Sequence, residues 1–331
     1  SNSGALLDAR DAYGNTPLHT AIASQAVQAE KFLLLRGANV HLRNLSGNTP
    51  VHTAVLQRDW ESVKMLLEFQ ASLEARDNMG MTPLILAARR NYGDISELLI
   101  AEGADFNARD NRGNTPLHET VKNHNRETSL LLIEKGADIF AENSYSDTPV
   151  SLAFSAGEAV VSWFFSGRSI AARNNRGNTP LHVAIQQNVS EEILTILIAK
   201  GADNKSRNNI IDTPLHTAFL ARNKNAVHVL AEAGADIFAK NGDGESPLSL
   251  AFSMSVDTLS WIISPENRDV TDEFGNTPLH IAAAHGNTDA VNYLLSIGIP
   301  ADIQNLGGDT PADSAYKQGY IELSQALREI E

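Results

Sequence analysis

A proline preceded by threonine or serine returns along this chain at a nearly fixed interval, and no other feature constrains the fold as tightly. The steps fall at Thr16, Thr49, Thr82, Thr115, Thr148, Thr179, Thr213, Ser246, Thr277 and Thr310, with spacings of 33, 33, 33, 33, 31, 34, 33, 31 and 33 residues. They use ten of the twelve prolines, leaving Pro265 and Pro300. Threonine can cap a helix, and proline fits the first helical position because its φ is fixed and its missing N–H would have had no partner there. Each step therefore predicts a helix start. A period of this size marks stacked small units, not the two ordinary domains that 331 residues would otherwise suggest.

The unit opening at Thr82 shows what each repeat contains. Leu84, Leu86, Ala87 and Ala88 give a short apolar helix, and Ile95, Leu98, Leu99 and Ile100 give a second at helical spacing. Gly103 supplies the left-handed residue that ends it. A polar connector with a turn, such as the one around Gly80, leads into each unit. Neither helix is long enough to bury its apolar face alone, so stability must come from neighbouring units.

The recurrent T-P-L-H, as at Thr277 to His280, is joined by the D-x-x-G turn of Asp110 to Gly113, the paired leucines Leu294 and Leu295, and Gly298 near the end of a second helix. With these motifs the chain resembles the ankyrin repeat family over almost its whole length. The resemblance implies an all-α solenoid of stacked helix-turn-helix units with projecting β-turn or hairpin fingers. It implies a single domain over residues 1–331, with residues 4–13 as the tail of a preceding repeat and residues 310–331 as a C-terminal cap. Gly4 to Asp11 matches Gly103 to Asp110, which predicts at least part of one further repeat upstream. The polar tail of the last unit, including Glu322, Gln325, Arg328 and Glu329, suits a solvent-facing end. The resemblance also makes the motif histidines structural, bonding within their own and neighbouring connections.

Departures from the period carry information of their own. The units at Thr148 and Ser246 have Ser151 and Ser249 in place of the histidine and are two residues short. Residues 136–154 resemble residues 234–252 at a constant offset of 98, which also relates Trp163 to Trp261. A duplicated three-repeat block follows, with equivalent kinks or pockets expected near each serine and tryptophan. Ile85 and Asp313 also replace the histidine, Gln70 and Pro265 stand at the helix-ending glycine position, and Ser146 and Ile211 stand at the turn glycine position.

Chemistry-bearing motifs do not emerge. One histidine per unit gives no local ligand cluster, and His280 and His285 are five apart, which is not the spacing of a helical zinc pair. No phosphate-binding glycine loop or G-x-S-x-G elbow occurs, and the carboxylates fall mostly in connectors, where Asp serves turns. The reading is therefore non-enzymatic, with no cofactor and no metal. Forty acidic against 26 basic residues, a net charge of −14, disfavours nucleic acid and favours a basic partner surface. No apolar run approaches the ~18 residues of a membrane span. The chain has no cysteine, which is compatible with any compartment.

Function is expected at the turn tips. In an array of this kind the turns form a row of fingers that, with the first helices, line a concave groove. The residues just before the turn glycine vary while the frame stays fixed, and several are apolar, aromatic or arginine: Tyr13, Leu45, Met79, Arg112, Tyr145, Arg176, Ile210 and Phe274. Such residue types carry interface energy. The expectation is a monomeric scaffold that binds another protein through this surface. The alternative is a recognition module of a larger protein whose activity lies upstream.

Overall fold

A computed structural model describes residues 7–330; Gly4, Ala5 and Leu6 of the expected N-terminal tail lie outside the described residues. Every Thr-Pro or Ser-Pro step opens a helix with the proline in its first turn, and among the described residues there are twenty helices and no strand. They fall into two compact units, residues 1–172 and 173–331.

The first unit holds five helix pairs: α1 (Pro17–Ala23) with α2 (Val27–Leu35), α3 (Pro50–Leu56) with α4 (Trp60–Glu68), α5 (Pro83–Arg89) with α6 (Gly93–Ala101), α7 (Pro116–Lys122) with α8 (Arg126–Lys135), and α9 (Pro149–Ser155) with α10 (Glu158–Phe164). The second holds five more: α11 (Pro180–Gln186) with α12 (Glu191–Ala199), α13 (Pro214–Leu220) with α14 (Lys224–Glu232), α15 (Pro247–Met254) with α16 (Val256–Leu259), α17 (Pro278–Ala284) with α18 (Thr288–Ser296), and α19 (Pro311–Lys317) with α20 (Ile321–Arg328).

Within each unit most consecutive first helices pack on one another, and several consecutive second helices do as well. The core is correspondingly periodic. Leu18, Val51, Leu84, Leu117 and Val150 are fully buried in the first unit, as are Leu181, Leu215, Leu248 and Leu279 in the second. A seven-residue helix is far below the ~12–15 residues at which an isolated helix becomes marginal in water. Burying a leucine contributes about 1.5–3 kcal/mol, so each short helix is held by the neighbours that cover this row.

The motif side chains build the junctions. At each of the six histidine steps the threonine hydroxyl meets histidine Nδ1, at 2.8 Å for Thr16 and His19, and at Thr16, Thr115 and Thr213 it also accepts from the histidine backbone N–H and so caps the helix. The threonine N–H also donates to Nδ1, at 3.2 Å. Nδ1 therefore accepts, the ring proton sits on Nε2, and Nε2–H donates to a carbonyl of the following repeat. The six such bonds run from His19 to Asn48, His52 to Met81, His118 to Asp147, His182 to Asp212, His216 to Glu245 and His280 to Asp309, at 2.9–3.2 Å.

Ser151 and Ser249 reproduce only the local half of this arrangement. Each hydroxyl accepts from the N–H of its capping residue and donates its single proton back to that residue's carbonyl at 2.9 Å. The two short units are not equivalent, contrary to the expectation of matching kinks or pockets. In the first, α10 keeps seven residues and Trp163 stands edge-on to Phe164; in the second, α16 shrinks to four residues and Trp261 stacks on Phe219. Both tryptophans are half-buried. At the second, α15 and α17 pack less closely than other neighbouring first helices, and the junction rests on α16 against α18. There, Asn287 Nδ2 donates to Phe252 O, Tyr293 Oη to Ile263 O and Arg268 to Ile297 O, at 2.8–3.1 Å.

Candidate protein-interaction surface

Every finger is the same closed turn. An Asp or Asn accepts through its side chain from the N–H groups two and four residues on, as Asp11 does from Tyr13 and Asn15 at 2.8 Å. The backbone closes as well, with Asp11 N–H donating to Asn15 O and Gly14 N–H to Asp11 O, both at 3.0 Å. No strand is zipped up, so the finger is a turn and not a hairpin. Its third residue takes a left-handed φ, 77° at Gly14, and a Cβ there would lie 2.9 Å from Leu45 N in the next finger. At Gly14 glycine is thus favoured both by conformation and by the approach of the neighbour.

Most consecutive fingers within a unit are tied by one backbone bond. In the first unit the N–H groups of Leu45, Asn78, Asn111 and Ser144 donate to Tyr13, Ser46, Met79 and Arg112 carbonyls at 2.8–3.2 Å. In the second, Asn209, Gly242 and Leu306 donate to Arg176, Ile210 and Phe274. The tip backbone is therefore held while the tip side chain is left to solvent.

The turn separates the candidate residues by register. Tyr13, Met79, Arg112 and Tyr145 in the first unit, and Arg176, Ile210 and Phe274 in the second, all stand two residues after the turn Asp or Asn and are all exposed. Tyr13 is 73% exposed, Tyr145 65% and Phe274 62%. Leu45 stands one residue after, where it overlies Gly14 of the preceding finger. Leu306, 82% exposed, overlies Gly275 in the same way and was not anticipated. Its position just after Asn305 is the signal that would have found it. Ile211, beside Ile210, is a β-branched residue at φ 67° in the glycine position and is 44% exposed.

A second feature escaped sequence reading. Arg10, Arg76, Arg173 and Arg207 each send a guanidinium to a connector carbonyl of the next repeat, on Arg43, Arg109, Arg207 and Lys240 respectively, at 2.5–2.6 Å. Arg109 makes the same bond to Glu142 O. Several also bond the carbonyl of their own turn glycine, as Arg76 does at Gly80. These arginines belong to the frame. Arg112, by contrast, makes no side-chain hydrogen bond or ion pair among the described residues.

Neither chemistry nor metal binding has a foothold in the histidines. Both ring nitrogens of each motif histidine are engaged, and burial pushes all six below the usual imidazole pKa, so they are neutral. Among the described residues no helix is long and apolar enough to cross a membrane.

A family model for ankyrin repeats in sets of three copies matches residues 25–110, 75–143, 97–170, 117–208, 150–241 and 248–331. The chain belongs to the ankyrin repeat family. It is 35% identical over 158 residues to neurogenic locus notch homolog protein 1 of Homo sapiens, a match covering 46% of this chain and 6% of that protein. It is 36% identical over 155 residues to human neurogenic locus notch homolog protein 2, again 46% and 6%, and 34% identical over 158 residues to the Danio rerio homolog protein 1. The chain thus spans a small fraction of the length of these curated relatives. As in its family, the stack is a protein-protein interaction module.

Proposed function

We propose that this chain is a non-enzymatic scaffold that binds a partner protein through the finger tips and the adjoining first-helix surface. The observation that carries the reading is the register: seven exposed aromatic, aliphatic or arginine side chains occupy one equivalent position of a backbone otherwise fixed by repeated bonds. Preformed tips of this kind bind with little reorganisation, and their affinity rests on a few anchors. The net charge of −14 favours a partner with a basic surface. The chain acts as a monomer in this reading, which light scattering tests.

The test substitutes Tyr13, Tyr145 and Phe274 with alanine together and measures partner capture alongside thermal unfolding. Capture should fall at least tenfold with the melting temperature unchanged. Unweakened capture overturns the finger-tip surface. A second reading, a recognition module within a larger protein, is favoured by the notch homologs, in which the matching segment is only 6% of the chain. The complete reading frame tests it.

A further inference from the structure

Glu30 on α2 is 1% exposed, in a position that later repeats fill with Val63, Ser96 and Ser129. Its Oε2 lies 2.5 Å from Ser62 Oγ on α4, and the same Oγ lies 2.8 Å from Asp59 Oδ2 at the start of that helix. Glu30 Oε1 is buried and has no hydrogen-bond partner. A hydroxyl carries one proton, so Ser62 can donate to only one of the two carboxyl groups. The other short oxygen-oxygen contact needs a proton of its own.

The surroundings decide which group holds it. Asp59 caps α4, its Oδ1 accepting from Ser62 N–H at 3.0 Å, and a helix start favours the charged form. Glu30 has no such donor. We propose that Glu30 is protonated when the first helix pair is packed, donating from Oε2 to Ser62 Oγ while Ser62 donates to Asp59, and that losing this proton as pH rises releases α1 and α2 from α3 and α4.

Burial raises the Glu30 carboxyl above its usual range, with the Asp59 charge adding to it and the Ser62 bond opposing it. No other ionisable group from the packed elements answers Glu30. On α1 there is only His19, bonded to Thr16 and Asn48, and on α3 only His52, bonded to Thr49 and Met81. On α4, Glu61 is exposed and Lys64 lies over the Trp60 ring; Arg58 is turned to Asp94 and the Tyr92 ring. On α2 itself, Lys31 is exposed.

Hydrogen exchange tests the proposal. Protection of the α1 and α2 amides, taken relative to α5 through α8 in the same molecule, is followed between about pH 5 and pH 9. In the natural chain protection should fall with rising pH, by up to about tenfold per pH unit, from the ordinary carboxylate range up to the raised pKa of the packed Glu30, and level off above it. In Glu30→Gln the amide keeps a donor for Ser62, and protection should be flat. His19 acts in the opposite sense, losing protection toward low pH, so it cannot mimic the effect. Protection that does not fall with rising pH, or an equal fall in Glu30→Gln, overturns the proposal. Should that variant misfold, infrared spectroscopy of the natural chain decides: the carbonyl stretch of a buried protonated carboxyl should be present while protection is falling and disappear where it levels off, and its absence throughout overturns the proposal.

Discussion

At the scale of single residues, the motif histidine stabilises by being neutral. Its Nε2–H reaches the next repeat while Nδ1 accepts from its own cap, and protonation would make Nδ1 a donor facing two donors. The six folded-state pKa values are lowered by burial, so the unfolded chain takes up protons first as pH falls. Stability should therefore hold above about pH 6.5 and drop below it, by up to ~1.4 kcal/mol per pH unit for each histidine. Urea unfolding at a series of pH values measures this slope. Glu30 and Glu119, raised by burial, contribute in the opposite direction above the ordinary carboxylate range, but they are two against six. Ile211 makes the converse case, a residue at odds with its backbone. A β-branched side chain at φ 67° is strained, and little is buried in return. Ile211→Gly should raise stability by about 0.5–1 kcal/mol after the entropy cost of glycine, read as a higher urea midpoint.

At the scale of the element, the repeat is a helix pair whose junctions are polar and whose core is apolar. The helix starts were legible because Thr-Pro fixes them chemically, and every step opens a helix. Second-helix lengths were less so. The two-residue deletions at Thr148 and Ser246 look identical as sequence, yet one leaves a seven-residue helix and the other a four-residue one. The two tryptophans differ as well, Trp163 edge-on to Phe164 and Trp261 stacked on Phe219. The arginine bonds were missed because their acceptors are backbone carbonyls about 33 residues away, which carry no side-chain signature. They supply a contrast between frame and tip. Arg76→Ala should cost about 1 kcal/mol through the lost bonds to Gly80 and Arg109 carbonyls. Arg112→Ala should stay within about 0.5 kcal/mol, as surface changes without partners do. Paired denaturation curves measure both.

At the scale of the whole molecule, the ten units read from sequence appear as five helix pairs in each of two compact units, and the family assignment follows from the same period. The candidate surface was legible as a set but not in its geometry. Leu45 precedes a turn glycine as the others do, but counted from Asn44 it belongs with Leu306 against the preceding finger. The central claim is that variable tips, and not the recurrent frame, contact the partner. Photo-crosslinking tests it most directly, with a benzophenone amino acid placed singly at Tyr145, Phe274 and Met79, and at Glu97 and Thr195, which are exposed on the second helices α6 and α12. A shared partner band from the three tip positions and none from Glu97 or Thr195 is the predicted result. Crosslinking confined to the second-helix positions, or equal from both sets, would contradict it.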